Sequence, residues 1–189
     1  MVGAMANILT QTEENDLVPR AKTDAHALEQ LYELYYERIF RFCVYRLFNR
    51  EIAEDVTSTI FLAVARRIRT FAGSSERDFG NWLYAIAANQ TNAYIRKTSR
   101  RKQLFAEVAD LIRAQDNENK SEPDWPKLYA AILRLKPQHQ AIVTLRFFEN
   151  LSYEQIAQIL NIKESTLRVM VHRILNDLRN YLTNILTER

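Results

Sequence analysis

The stretch SYEQIAQILNIKESTLRVMVHRILNDL, residues 152–178, decides the fold of the C-terminal part of this chain. Ser152 followed three residues later by Gln155 makes a capping box, so a helix is predicted to begin there. Residues 161–163 predict a tight turn, because asparagine tolerates the left-handed backbone conformation that such turns use. Ala157 is small enough to let a second helix cross closely. The stretch therefore predicts two short helices that form a helix-turn-helix.

The second of these helices has two unlike faces. Its apolar residues, spaced for burial, are Leu167, Val171, Ile174 and Leu178. Its opposite face is mostly short polar and cationic, with Ser165, Thr166, Arg168, Val169, His172 and Arg173. A recognition helix needs this arrangement, since it packs on its own domain and enters the major groove of DNA with its other side. An ordinary helix pair with a solvated polar face is the alternative.

Upstream of this region, the chain is divided by an acidic, polar stretch. Residues 107–124 contain six acids and two bases, and Pro123 and Pro126 close the stretch. Such a composition is typical of a linker. We therefore predict a flexible leader over residues 1–22, a first helical domain over 23–103, a linker over 104–126 and a helix-turn-helix domain over 127–189.

The first domain is predicted to hold three helices. Thr23 or Asp24 can cap the first, and its apolar residues recur at helical spacing: Leu28, Leu31, Tyr35, Ile39 and Phe42. The second begins near Asn49 and is expected to bury Ile52, Val56, Ile60, Val64 and Ile68. A loop over residues 72–78 precedes the third, whose inner face is Phe79, Trp82, Leu83, Ile86 and Ala87.

The third helix runs into a cluster of cations and is the second candidate for a DNA surface. Asn89, Arg96 and Arg100 fall on one face, with Lys97 and Arg101 alongside. Such a stripe can bind phosphates, and the nearby aromatic residues Trp82, Tyr84 and Tyr94 can stack on exposed bases. The alternatives are a solvated helix end for the cations and a place in the core for Trp82.

Composition sets the class of protein and excludes several others. The 189 residues are 47% hydrophobic with only three glycines and four prolines, which favours an all-α fold with short connections. A single cysteine, Cys43, excludes a disulfide framework and fits the cytoplasm. The longest apolar stretch, residues 60–65, is too short to insert into a membrane.

Enzyme signatures are not found in the sequence. There is no glycine-rich phosphate loop, and His26, His139 and His172 lack the spacing of metal ligands. We therefore expect no enzyme activity, no cofactor and no metal. The net charge of +3 and the pI near 9.0 decide little by themselves.

The order of the motifs resembles that of an extracytoplasmic-function (ECF) sigma factor of bacterial RNA polymerase. In the first domain these motifs are LEQLYELY at residues 28–35, AEDV at 53–56 with FL at 61–62, and WLYAIAAN at 82–89 with Arg96 after it. In the second they are LRLKP at 133–137, LR at 145–146 and LSYEQIA at 151–157. The resemblance covers residues 27–182 and implies the sigma regions called two and four.

The resemblance implies two partners, core RNA polymerase and promoter DNA. Region two would bind the polymerase clamp through Glu54, Asp55, Ser58, Thr59 and Leu62. It would also capture a flipped base of the minus-ten element near the loop before Phe79, beside Arg77. Region four would place its recognition helix in the minus-thirty-five element, and the acidic linker would occupy the RNA path of the polymerase.

The chain departs from the family pattern at several positions, which leaves its promoter sequence open. Ser58 and Thr59 stand where a Gln-Glu pair is usual, and Ala93 stands where aspartate is common. Ser165 and Met170 replace a glycine and an arginine. The hydroxyls are either a tolerated variation or a switch. In the latter case a regulatory kinase acting on Thr57 or Thr59 would restore the missing negative charge.

Regulation by another molecule is therefore expected, either an anti-sigma factor or such a kinase. Two other functions stay open for the chain as a whole. It could be a stand-alone helix-turn-helix transcription regulator that never binds polymerase, or a sigma-mimicking protein that titrates an anti-sigma factor and binds no DNA. The cations at residues 96–102, Arg168 and Arg173 argue against the mimic.

Overall fold

The computed structural model describes residues 17–97 and 125–187, and in these ranges the secondary structure is helical without a strand. The predicted all-α fold is confirmed. The chain divides into two compact units, residues 1–91 and 92–189, which are described separately. Most of the predicted linker lies outside the described residues, so its boundaries stay a prediction.

The first unit is built from two long helices and most of a third, and their starts follow from the sequence. Helix α1 spans Ala25–Leu47, and the carboxylate of Asp24 accepts a hydrogen bond from the His26 amide at 2.9 Å. Helix α2 spans Arg50–Arg67, and the Asn49 side chain accepts from the Ile52 amide at 3.0 Å. These side chains satisfy amide groups that have no partner within the helix. The predicted cap of α1 and the predicted start of α2 are thus confirmed.

The predicted apolar faces of α1 and α2 form the core of the first unit. Side chains at most 7% exposed include Leu31, Tyr35, Ile39, Phe42, Val56, Ile60, Val64 and Ile68. Leu28 and Ile52, also predicted to be buried, are half-buried. Fully burying one such large apolar side chain stabilises a fold by about 1.5–3 kcal/mol, so this interface fixes how α1 and α2 pack.

Three buried polar side chains lie in the same core. Arg46 is 1% exposed, and Cys43 and Thr57 are fully buried. Burial raises the pKa of the Cys43 thiol to about 11, because the thiolate would lose its hydration there.

The third helix, α3, spans Glu76–Lys97 after a short 3₁₀ turn at Ile68–Thr70. The predicted loop over residues 72–78 is therefore too long by three residues. The Ser75 hydroxyl accepts from the Asp78 amide at 3.1 Å, and the Asp78 carboxylate accepts from the Ser75 amide at 3.3 Å. This reciprocal cap starts the helix at Glu76, and the acidic side chains suit the positive end of the helix dipole.

Residues 17–22, which the sequence assigned to a flexible leader, are packed on the first unit. They begin with a helical turn at residues 17–20, and Val18 and Ala21 are 1% and 3% exposed. The Lys22 Nζ donates to the Gly73 carbonyl oxygen at 2.9 Å. Residues 17–22 therefore do not belong to a flexible leader, because two small apolar side chains and one ammonium group anchor this segment to the rest of the unit.

The second unit contains four helices within its described part. They are α4 (Trp125–Arg134), α5 (Pro137–Val143), α6 (Tyr153–Leu160) and α7 (Glu164–Thr187), with a π turn at Thr144–Phe148. Pro137 stands in the first turn of α5, where its missing amide hydrogen is not needed. Buried Gln140 donates to the Leu133 and Leu135 carbonyl oxygens at 3.3 and 3.0 Å, which satisfies the end of α4.

The last helix is longer than expected. The sequence predicted two short helices, and α6 has 8 residues, but α7 has 24. The extra turns follow because nothing in residues 176–187 breaks a helix: glycine and proline are absent there.

Candidate nucleic-acid interface

The helix-turn-helix has the local geometry that its sequence predicts. The Ser152 hydroxyl accepts from the Gln155 amide at 3.2 Å, and the Gln155 side chain accepts from the Ser152 amide at 3.0 Å. Asn161 ends α6 with φ 52° and ψ 50°, in the left-handed region. The capping box and the turn are therefore confirmed, and they set where α7 begins relative to α6.

Helix α7 presents one buried and one exposed face. Leu167, Val171, Ile174 and Leu178 are at most 6% exposed. The structure brings the six predicted DNA-contacting residues together on the exposed face: Ser165, Thr166, Arg168, Val169, His172 and Arg173. This placement is what a recognition helix requires, and the contacts of these residues with DNA stay a prediction.

Arg168 is held in place by two neighbours that the sequence analysis did not identify. Its Nε and Nη2 donate to the Glu164 Oε1 at 3.0 and 2.6 Å. Its guanidinium carbon lies over the Tyr153 ring, 4.5 Å from the centroid. The spacing of four residues between Glu164 and Arg168 could have revealed the ion pair, but Tyr153 comes from another helix and gives no such signal.

His172 is also oriented by its own helix. The Asn176 Oδ1 accepts from Arg179 at 3.1 Å, which turns the Asn176 Nδ2 toward the His172 Nε2 at 3.2 Å. Asn176 therefore contacts the His172 ring from the next turn of α7.

The second candidate DNA surface lies on α3. Asn89, Arg96 and Lys97 are exposed, and Tyr94 is half-buried. The Arg96 Nε donates to the Asn92 carbonyl oxygen at 3.2 Å, so its side chain lies along the helix. Arg100 and Arg101, predicted on the same stripe, lie outside the described residues. Their part in binding stays a prediction.

Trp82 takes the packing role that the sequence left open, and its stacking on a DNA base stays a prediction. It is half-buried, and its ring stacks on Phe71 with centroids 4.7 Å apart and planes 26° from parallel. Phe79 adds a tilted contact at 5.9 Å. One side of Trp82 is therefore engaged in packing, and it joins α3 to the loop that precedes it.

This loop, residues 71–75, is tightly packed around Gly73. A Cβ atom at Gly73 would lie 2.7 Å from the Asp78 Cβ and would overlap the Phe71 ring. Lys22 lies 5.6 Å from the Phe71 ring centroid while it donates to the Gly73 carbonyl. Phe71, Gly73 and Lys22 therefore shape the predicted base-capture loop, although the sequence analysis assigned none of them to the site. Arg77 is exposed directly after it.

The predicted polymerase-docking face of α2 is open to solvent. The exposed residues on this helix include all five candidates: Glu54, Asp55, Ser58, Thr59 and Leu62. Leu62 is 52% exposed, so an apolar side chain is available on this face for a partner. The Thr59 hydroxyl donates to the Asp55 carbonyl oxygen at 3.0 Å. Thr57 is fully buried, so of the two predicted phosphorylation sites only Thr59 is accessible in the folded protein.

Sites of two other kinds are absent from the described residues. No group of three or more His, Cys, Asp or Glu side chains within residues 17–97 and 125–187 could hold a metal ion. No helix in those ranges is both long and apolar enough to span a bilayer.

Comparison with known proteins gives two family matches. Residues 31–101 match the model of sigma-70 region 2, and residues 126–178 match that of sigma-70 region 4. The chain is 33% identical over 174 residues to the ECF RNA polymerase sigma factor BldN of Streptomyces coelicolor, covering 88% of this chain and 65% of that protein. It is 29% identical over 177 residues to ECF RNA polymerase sigma factor SigW of Bacillus subtilis, covering 87% and 93%.

A solved structure supports the fold. The sigma factor RpoE of Bartonella quintana, crystallised in complex with the anti-sigma factor NepR, superposes with a TM-score of 0.60 and 21% identity. The match covers 82% of this chain and 96% of that one.

Proposed function

The chain belongs to the ECF sigma factors, and on that premise we propose that it directs core RNA polymerase to specific promoters and opens them at the minus-ten element. The observation that carries the proposal is that one chain has two separate candidate DNA surfaces together with an exposed docking helix. These are the recognition face of α7, the loop and cations of α3, and the exposed face of α2.

The recognition face of α7 is assigned to the minus-thirty-five element. Its length and exposure suit the major groove, and Arg168 and Arg173 offer donors to bases and phosphates. The loop over residues 71–75 and α3 are assigned to the minus-ten element. A base that leaves the stack there would find the half-buried ring of Trp82. Arg96 and Lys97 lie about four turns further along α3, where they can bind phosphates of neighbouring nucleotides.

The face of α2 that carries Asp55 is assigned to polymerase. Asp55, Thr59 and Leu62 follow one another at intervals of four and three residues, so they lie along one side of the helix. A mixed surface of a carboxylate, hydroxyls and one apolar side chain suits a protein partner that carries cations around an apolar contact.

The proposed function requires no catalytic group in this chain. The polymerase forms the phosphodiester bonds, and the chain selects and opens DNA in the cytoplasm, where polymerase acts. We propose an anti-sigma factor as the regulator, as in the complex of the Bartonella quintana relative. A kinase acting on Thr59 is the second proposed regulator, since this hydroxyl is exposed on the docking face.

A stand-alone helix-turn-helix regulator is the other candidate function. The match of residues 31–101 to sigma-70 region 2 favours the sigma factor, because a regulator that never meets polymerase has no use for that region. A sigma mimic that avoids DNA is disfavoured by the cations on α7.

Run-off transcription tests the proposal. The purified chain is added to bacterial core polymerase with a library of genomic promoter fragments, and specific transcripts that need the chain are expected. Asp55→Lys should weaken polymerase binding by about tenfold to 150-fold, since a charge-assisted contact is typically worth about 1.5–3 kcal/mol. Glu33→Lys, an equal charge reversal at an exposed residue of α1, is the matched control. A chain that gave no transcript and no affinity for core polymerase would refute the proposal.

A further inference from the structure

We propose that Glu164 and Tyr153 are positioning residues that fix Arg168 for reading one base pair of the minus-thirty-five element and keep it from binding DNA phosphates indiscriminately. This inference rests on the proposed function and adds residues to it. In the protein without DNA, residues of two helices already hold the Arg168 side chain, which has the exposed position of a DNA contact.

The Glu164 carboxylate occupies one edge of the Arg168 guanidinium and leaves a second edge available for a ligand. Nε and Nη2 donate to the same Glu164 oxygen, at 3.0 and 2.6 Å. Arginine has five N–H donors in a rigid plane, so Nη1 and the second hydrogen of Nη2 form a two-pronged edge outside this pair. The Arg168 side chain is 60% exposed, which leaves room for a ligand at that edge. Two parallel donors match the O6 and N7 acceptors of guanine in the major groove.

Tyr153 supports the plane of the guanidinium. It is the first residue of α6, directly after the capping residue Ser152, so its backbone is fixed by the capping box. The Arg168 guanidinium lies 4.5 Å from its ring centroid. Arg146 lies 5.0 Å from the same centroid, and its Nη1 donates to the Leu151 carbonyl oxygen at 2.9 Å. The ring is therefore held by α6 and by an anchored second cation.

These contacts order Arg168 before DNA arrives. A free arginine loses rotamer entropy when it is immobilised. Because Glu164 and Tyr153 already restrict the side chain, part of that loss has occurred in folding and does not weaken binding. A displacement of about 1 Å of the two remaining N–H donors would break their paired hydrogen bonds with guanine. Glu164 and Tyr153 therefore both influence which base Arg168 reads.

Glu164 also decides what kind of DNA contact Arg168 favours. A phosphate is attracted by net charge, and the carboxylate beside Arg168 cancels much of that charge locally. The edge of a base offers neutral acceptors in a fixed direction. These acceptors can bind the remaining N–H donors of Arg168 without displacing Glu164. The pair therefore favours base reading over sequence-independent phosphate binding.

The experiment compares substitutions that separate the effects of the Glu164 charge, the Tyr153 ring and the Tyr153 hydroxyl. Glu164→Gln keeps an oxygen acceptor but removes the charge; Tyr153→Phe keeps the ring, and Tyr153→Leu removes it. Arg168→Ala removes the reader. Each full-length variant is bound to core polymerase. The probes are a duplex that the parent selects from a pool with a randomised minus-thirty-five element, a scrambled duplex, and a series of salt concentrations.

The substitutions are expected to change DNA affinity and base preference in different directions. Arg168→Ala should lower preference for the selected duplex by about fivefold to 150-fold at one base pair, the usual range for a paired base contact. Glu164→Gln should raise affinity for the scrambled duplex and steepen the salt dependence by about one counterion. Tyr153→Leu should lose about twofold to 30-fold of the preference, while Tyr153→Phe retains it.

Thermal melting of each variant checks that the second unit folds. The inference is overturned if Glu164→Gln leaves both salt dependence and base preference unchanged. It is equally overturned if the folded Tyr153→Leu variant matches Tyr153→Phe. If the parent selects no duplex at all, the proposed function itself fails, whereas a parent that selects and variants that all behave like it refute only the positioning roles.

Discussion

The two candidate DNA surfaces of this protein are organised by different means. In the first unit, the loop over residues 71–75 is shaped by packing: Phe71 stacks on Trp82, and Lys22 binds the Gly73 carbonyl. In the second, the recognition face depends on paired side chains, above all Glu164 with Arg168. The first surface is thus set by where the backbone runs, and the second by where side-chain atoms point. Changes of shape should therefore damage the first, and changes of polar contacts should damage the second.

The largest effect is expected from Gly73→Ala. The added methyl group overlaps the Phe71 ring and lies 2.7 Å from the Asp78 Cβ, so either the loop or the stack on Trp82 must shift. Such overpacking costs about 1–3 kcal/mol. We expect loss of promoter opening, measured by permanganate reactivity of unpaired thymines, with binding to the minus-thirty-five element retained.

Gly80→Ala is the matched control for this substitution. Its Cβ would lie 3.4 Å from the Tyr35 hydroxyl oxygen, close to ordinary contact, and Gly80 stands inside α3. Alanine is favoured over glycine in a helix interior by about 1 kcal/mol, so the control should keep promoter opening and melt no lower than the parent. Equal promoter opening by the two variants would show that the loop does not depend on shape.

A smaller effect is expected in the second unit from Ser152→Ala. This substitution removes the oxygen that accepts from the Gln155 amide and should destabilise the unit by about 1 kcal/mol. We expect a lower melting temperature and weaker binding to the minus-thirty-five element with promoter opening unchanged once bound. Ser152→Asp restores an acceptor and should recover both; failure to recover would assign the effect to something other than the cap.

The smallest expected effect is a pH dependence of the cap that Ser75 and Asp78 form at the start of α3. Hydrogen bonds from the Ser75 hydroxyl and amide lower the pKa of Asp78 below its ordinary value. Because the pKa of Asp78 is lower in the folded protein than in the unfolded chain, the ionised carboxylate stabilises the fold. This stabilisation is present above the ordinary aspartate pKa of about 4 and is lost as the pH falls through the pKa of the folded protein. The Ser75 amide resonance should shift in that acidic range. In Asp78→Asn the shift should vanish, and a shift that persisted would point to another group.

The sequence predicted those parts of the fold that depend on neighbouring residues. The helix starts after Asp24, Asn49 and Ser152 and the turn at Asn161 are each set within four residues, so the pattern predicts them. The start of α3 was placed three residues late, because Ser75 and Asp78 are as common in loops as in caps. The buried and exposed faces of α7 follow from helical periodicity.

The contacts that organise the two surfaces could not be predicted in the same way. Lys22 and Gly73 are 51 residues apart, and Tyr153 reaches Arg168 from a different helix. Such pairings depend on how helices pack, which local patterns do not encode. The roles of the predicted DNA-contacting and polymerase-contacting residues stay predictions, since exposure places a side chain where a partner can reach it and does not identify the partner.

The burial of Cys43 has a consequence for measuring how the first unit opens. It is the sole cysteine of the chain, it is fully buried, and burial raises its pKa to about 11. The thiolate, not the thiol, attacks alkylating reagents, so the native protein should be almost inert toward them near neutral pH. Modification then reports the fraction of molecules in which the core has opened. Alkylation of Cys43, measured by mass spectrometry, thus reports opening of the core of the first unit without any introduced label.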